Sequence, residues 1–466
     1  MSALRSEHGR AQRLWRAAGL DFHVLATLLF RGWGILAGGV TTLLLPFWLS
    51  PAQQGFYYTF GSLLALQVFF ELGLNQVIVQ LVGHEAAHLQ FHDDGTVSGD
   101  AARRARLQAI RRLVTRWYLV AAVLFAAVGG LAGHVFFERR AALPAPEWEL
   151  AWFALVLTSA VNLFLSPRLA IIEGTGRVGQ VARLRLIQSF VGYGAMWLLL
   201  IAGAGLWVAV AVPGVSSLVT LLWLRARGEL RRREAVADDG RQPLISWRKD
   251  IFPLQWRIAV SWACGYFIFN LFTPIIFAHH GAREAGQFGM AMAIFNAATT
   301  VGLSWINAKT PAFTMHISRG ESMALNGLFR AVTIRSTAFT GLLSFGFVGT
   351  VAIATAFAVP GLHRLASGWT LWWLAIATTI NVLVYACASY MRAHREEPMV
   401  PVSIVSALCT VAVVLTTADA PIPLMMALYA GISALVTLPW TVMLLRRYRA
   451  RHAVEAMAPP ATTAQR

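Results

Sequence analysis

The chain has 466 residues, 57% of them apolar and 13% charged, with a formal net charge of +17. That balance excludes a soluble globular domain and leaves an integral membrane protein that is nearly all membrane. The large positive charge also suits nucleic acid, but the placement of the cations argues against that partner.

Apolar windows long enough to cross a bilayer fall at about 24–49, 55–80, 117–137, 150–172, 183–202, 207–224, 257–278, 286–307, 331–358, 370–391, 399–418 and 423–445. With the N-terminus in the cytoplasm, the inside segments carry 33 of the 39 Lys and Arg residues. The outside loops carry four, Arg139, Arg140, Arg283 and Arg364, while Arg31 and Arg168 lie within helices. This asymmetry is the positive-inside pattern and predicts both termini in the cytoplasm. The expected fold class is all-α, with about twelve transmembrane helices in two six-helix lobes. The expected divisions are a basic lead at 1–23, a first lobe at 24–224, a cytoplasmic linker at 225–256, a second lobe at 257–445 and a tail at 446–466.

The lead carries Arg5, Arg10, Arg13 and Arg16 beside Leu14 and Trp15, the pattern of an amphipathic helix on anionic lipid or of a frayed tail. It lacks the short apolar core and cleavage site of a signal peptide, so the first span is expected to remain. The hairpin from Val24 to Gln80 follows. Its first run carries one buried charge, Arg31, seven residues in, among Gly32, Gly34, Gly38 and Gly39. After the turn Ser50-Pro51-Ala52-Gln53-Gln54-Gly55, the second run brings back Glu71, nine residues from its exit, then Gly73, Asn75 and Gln76. At about 1.5 Å per residue these depths agree within one helical turn. An ionisable group there faces a partner or a water-filled cavity rather than lipid.

The first inside loop, 81–116, contains His84-Glu85-Ala86-Ala87-His88, an H-E-x-x-H string, then His92, Asp93 and Asp94. On one helix His84 and His88 share a face and would hold zinc, with Glu85 as base. A third ligand is unspecified, so a solvated helix end is the preferred reading and a zinc protease the remote one. Arg103, Arg104, Arg106, Arg111, Arg112 and Arg116 follow, placed to lie along anionic headgroups of the inner leaflet.

The fourth span ends with Asn162, Ser166, Pro167 and Arg168, where Arg168 either lines a cavity or snorkels. The linker carries Arg231 to Arg233, with Trp247, Trp256 and Arg257 near its end. Beyond it, Gly281 to Phe288 echoes Ser50 to Tyr57, and Arg395 to Val400 echoes Glu173 to Val178. Six spans followed by six in the same orientation predict a parallel repeat about a pseudo-two-fold axis along the membrane normal, with a substrate route between the halves. Cys264, Cys387 and Cys409 sit in separate spans and imply no disulfide framework.

On Leu45-Pro46, Leu49 to Tyr57 and Phe70-Glu71-Leu72-Gly73-Leu74, together with the twelve-span layout, the chain resembles the polysaccharide-flippase (Wzx-type) branch of the multidrug/oligosaccharidyl-lipid/polysaccharide (MOP) exporter superfamily. The resemblance implies movement of an undecaprenyl-pyrophosphate-linked oligosaccharide from the inner to the outer leaflet of the cytoplasmic (inner) membrane by alternating access. It also implies a cationic central cavity, to which Arg31, Arg168, Arg257, Lys309 and Arg335 are the candidate contributors.

The mechanistic expectation has Arg31 binding the pyrophosphate as a charge-assisted fork, with Glu71 as its partner when substrate is absent. A purely structural Arg31–Glu71 pair and ion coupling through Glu71 both stay open. Asn75, Gln76, Asn162, Asn270 and Asn296 are candidates for sugar hydroxyls, or for joining helix to helix. The expected partners are lipid-linked glycan, anionic membrane lipids and polysaccharide-assembly proteins. No nucleic acid, cofactor, metal or enzymatic activity is expected. The nearest rival is a cation-coupled multidrug exporter of the same superfamily.

Overall fold

The computed structural model describes residues 22–91, 97–140, 143–228, 246–247, 251–359, 361–394 and 398–457, with backbone alone at 22–31, 91, 253–254, 257 and 452–457. The basic lead to residue 21, His92 to Asp94, most of the linker, the inner turn at 395–397 and the end of the tail lie outside them.

The first span is α1 (Phe22–Trp48), and the second begins at α2 (Pro51–Leu64). The turn between them is a capping box. The Ser50 amide donates to Gln53 Oε1 and the Gln53 amide to Ser50 Oγ, each at 3.1 Å, with Pro51 in the first helical position. A short 3-10 turn, Ala65–Gln67, and the single turn α3 (Val68–Glu71) continue the path to α4 (Leu74–Ala86). At the joint Leu72 and Gly73 both take left-handed backbone, with φ of 50° and 66°, and the span bends by 41°. The turn after α4 leads into a two-stranded hairpin, β1 (Leu89–Phe91) and β2 (Val97–Gly99), antiparallel with Gln90 opposite Ser98.

The remaining helices are α5 (Ala101–Arg140), α6 (Ala145–Gly174), α7 (Val178–Ile201), α8 (Val208–Ala226), α9 (Phe252–Phe269), α10 (Phe272–His280), α11 (Ala282–Ser318), α12 (Ser322–Ala356), α13 (Gly368–Ala393), α14 (Val400–Thr416), α15 (Ile422–Ile432) and α16 (Leu438–Met457). Among the described residues nine stretches are long and apolar enough to span, and the bent second span makes a tenth. Two shorter apolar helices, Gly32–Trp48 and Val400–Thr416, occupy the first and eleventh sequence windows. All twelve expected spans therefore have a helix.

The chain divides into two compact units, Met1–Leu49 with Leu63–Ala259, and Ser50–Ser62 with Val260–Arg466. Each is built around its fourth span. Of the spanning stretches, α6 in the first unit and α13 in the second bury the largest shares, 61% and 50%. Spans four and ten are equivalent in a six-plus-six repeat, so the lobes share a packing plan.

In the first lobe α5, α8 and α4 pack around α6, and α1 packs on α7. Trp33 stacks on Phe190 with centroids 3.9 Å apart, and Trp197 donates to Thr41 Oγ1 at 2.9 Å. Gly174 lets α4 approach α6, because a Cβ there would meet Val82 at 2.7 Å.

In the second lobe the echoing turns meet each other. Gly55 and Gly286 hold the same place in the echo, and a Cβ on Gly286 would lie 2.8 Å from the Gly55 nitrogen. A Cβ on Gly55 would lie 1.8 Å from the Ala282 carbonyl oxygen. Gln54, buried, donates to the Gly286 carbonyl at 3.0 Å. Ser50–Ser62, which lies within the expected first lobe, thus packs with the second unit.

Candidate functional site: polar side chains at a broken span

The break at Leu72-Gly73 decides what surrounds Glu71. A helix end leaves backbone groups without intrahelical partners, and non-helical backbone at membrane depth persists only where protein or water satisfies it. Asn75, one turn beyond the break, donates Nδ2 to Glu71 Oε1 at 2.8 Å and to Ser166 Oγ at 3.0 Å. Ser166 Oγ donates in turn to the Leu163 carbonyl at 2.9 Å. Tyr118 of α5, fully buried, sets its hydroxyl towards Ser166 and Glu71, outside hydrogen-bond geometry. Four helices of the first lobe, α3 to α6, thus bring a carboxylate, an amide and two hydroxyls together.

Towards the C-terminal end of α6 and the N-terminal end of α5 lie two arginines. Arg168 is half-buried, donates Nη1 to the Phe164 carbonyl at 3.1 Å, and lies 4.4 Å above the Phe164 ring. Arg111 of α5 is its electrostatic neighbour. Sequence reading assigned Arg111 to the headgroup cluster and passed over Ser166 and Tyr118. The i, i+7 spacing of Arg111 and Tyr118 was the available signal, since it puts both on one helix face.

The other candidates are dispersed. Arg31 lies on α1 and Arg257 on α9, but both side chains fall outside the described residues. Gln76 is exposed. Asn162 joins helix to helix, donating to the Pro213 carbonyl on α8 at 2.8 Å. Asn270 sits at the break between α9 and α10, its backbone N–H donating to the Tyr266 carbonyl at 2.8 Å. Asn296 and Lys309 on α11 and Arg335 on α12 are exposed in the second lobe. On α11, Asn296, Thr300, Ser304 and Asn307 form an exposed polar row at three- and four-residue spacing, which Thr314 continues seven residues on. Such a row belongs beside water rather than acyl chains.

The second lobe also has a small, partly open pocket of about 150 Å³. Asn381 donates to Tyr429 Oη there at 3.0 Å, and Ser406 lies 2.8 Å from Thr437 within a wide helical turn, Ser433–Thr437.

The zinc reading of the inside loop is overturned. The helix ends at Ala86, so His88 lies in the turn beyond it and no i, i+4 face forms with His84. Glu85 is buried and paired with Arg103 at 3.5 Å and Arg106 at 3.2 Å, which withdraws its carboxylate from base chemistry. No metal-holding group of His, Cys, Asp or Glu occurs among the described residues. The string is a structural junction between α4 and α5.

Neither a protein-family model nor a curated protein sequence matches the chain. Solved structures do. An inward-facing multidrug resistance MATE transporter of the MOP superfamily superposes with a TM-score of 0.59 at 14% identity, covering 91% of this chain and 96% of that one. The lipid II flippase MurJ, in an inward closed conformation, gives 0.59 at 12% identity over 91% and 87%. A MOP superfamily transporter from Pyrococcus furiosus, described as having a binding pocket of reverse polarity, gives 0.53 at 13% over 92% and 96%. The chain has the fold of the MOP superfamily transporters.

Proposed function

We propose that the protein is a flippase that carries a polyprenyl-pyrophosphate-linked oligosaccharide across the cytoplasmic membrane by alternating access, for export of cell-surface polysaccharide. The observation that supports the reading is the half-buried guanidinium of Arg168, which has Arg111 as an electrostatic neighbour, on the helix that also carries Ser166 of the Glu71 cluster. Two like charges held together in a half-buried place favour an anion with more than one charge, and a pyrophosphate meets that demand with bidentate contacts. The break in the second span supplies an adjacent polar wall of Asn75 and Ser166 for the first sugar. In this reading Arg31 adds a further cation from α1.

Replacement of Arg111 and Arg168 by Ala, singly and together, tests the assignment in proteoliposomes that carry a fluorescent lipid-pyrophosphate oligosaccharide. Each single variant is expected to lower translocation at least about tenfold, the loss of one charge-assisted contact. Lys replacements should keep part of it, because charge survives where the fork does not. Full activity in the double Ala variant would overturn the assignment.

A second reading, a cation-coupled multidrug exporter, is favoured by one observation: the first lobe's break is lined by a carboxylate, Glu71, the charge a cationic substrate or coupling ion needs. The likeness to a MATE transporter is as close as that to the flippase. Extrusion of a cationic dye by the same proteoliposomes, without movement of the lipid, would replace the first reading by this one.

A further inference from the structure

A cleft of about 900 Å³ opens in the second lobe between the C-terminal half of α12 and the segment leading into α13. Its walls are apolar, formed chiefly by Val351, Ala352, Leu362, Leu365, Trp369 and Trp372. It lies at the end of the bundle that the charge distribution assigns to the outside. Phe357 and Trp369 beside it are 79% and 69% exposed, as aromatic residues are at a membrane interface. Burial of a hydrocarbon chain in such a cleft is favourable in proportion to the apolar surface it removes from water.

Charge lies next to the lining residues in sequence. The outside loops hold four arginines, and two of them, Arg283 and Arg364, are electrostatic neighbours here. Arg364 ends the 3-10 turn Leu362–Arg364 and sits between His363 and Leu365, both of which line the cleft. Arg364 is half-buried, its Nη1 has no hydrogen-bond partner among the described residues, and desolvation, then Arg283, lowers its pKa from the ordinary value. The turn is held from both sides: Gln287 donates to the His363 carbonyl at 2.7 Å and Gln54 to the Arg364 carbonyl at 3.4 Å. The nearby carboxylate of Glu284 is engaged with His280 at 3.8 Å.

We propose that this cleft is a binding site for an anionic phospholipid of the outer leaflet, one acyl chain lying between α12 and α13 and the phosphate held by Arg364 and Arg283. An apolar cleft alone accepts any chain. A buried, unpaired guanidinium N–H beside a second cation selects for a phosphate oxygen and a net negative headgroup. The site goes beyond the transport reading and stands whether or not a glycan is moved.

The test is native mass spectrometry of the full-length protein in detergent, with phosphatidylglycerol and phosphatidylcholine of matched chains. Phosphatidylglycerol should be retained over phosphatidylcholine by about fivefold for each arginine, the worth of one charge at an anionic surface. Arg364→Gln and Arg283→Gln should each remove that factor and leave chain binding intact. Ala352→Trp fills the cleft and should lower retention of both lipids at least about tenfold. Ala366→Phe repeats the test from the opposite wall if the first variant unfolds. Wild-type retention in a folded cleft-filling variant would overturn the proposal. So would equal retention of the two lipids by the wild type, or an unchanged preference in the double Gln variant.

Discussion

At the scale of single residues, chemistry is set by whether a polar group already has a partner. Asn75 spends its amide on Glu71 and Ser166, so the cluster is prearranged before any ligand arrives. Glu71→Gln keeps an oxygen for that amide while removing the charge; Glu71→Ala removes both. If the carboxylate carries coupling, transport by the Gln variant becomes insensitive to an imposed ion gradient while its thermal unfolding is unchanged. If the group only holds the break together, the Gln variant transports normally and the Ala variant melts early. Glu85 illustrates the opposite case. Its two arginine partners leave no chemistry for the neighbouring histidines, so His84→Ala and a metal chelator should both leave transport unchanged. Glu85→Ala should cost at most about 1 kcal/mol, because the arginines it loses are partly solvated.

At the scale of elements, two joints in the second span govern behaviour. The left-handed pair Leu72-Gly73 lets the helix break beside Glu71, and only glycine adopts such backbone without strain. Gly73→Ala is expected to destabilise by roughly 1 kcal/mol and to reduce transport more than that loss explains, since it displaces Asn75 from Glu71. The capped turn at Ser50–Gln53 leads to the second joint, the crossing of Gly55 with Gly286. Gly55→Ala forces a methyl into the Ala282 carbonyl and should cost about 1–3 kcal/mol in detergent unfolding. Gly61→Ala, on the same helix with nothing within 4 Å, is the control and should be neutral or slightly stabilising. Equal behaviour of the two variants would mean that the crossing is not tightly packed.

At the scale of the whole molecule, the placement of charge carries the topology. A fluorescent protein fused after Arg466 should fluoresce and a periplasmic phosphatase fused there should be inactive if both termini are cytoplasmic. The reverse result would invert every statement about inside and outside, including the leaflet assigned to the lipid cleft.

Hydropathy by itself determined the number of spans, their order and the all-α class, because a bilayer demands about twenty apolar residues wherever backbone crosses it. The turn motif and the Phe70 to Leu74 element were also visible as strings. What they do was not visible. Side-chain partners separated by more than a turn depend on which helices touch, and period and composition are silent on that. Hence Ser166 and Tyr118, far along the chain from Glu71, joined its neighbourhood only through the packing of α4, α5 and α6. Asn162 proved to be occupied by Pro213. The helix spacing of His84 and His88 came to nothing because the chain turns after Ala86 to reach the hairpin. The second unit's hold on Ser50–Ser62 was likewise decided by close packing, since only two glycines at the same place in each repeat let the backbones approach so nearly.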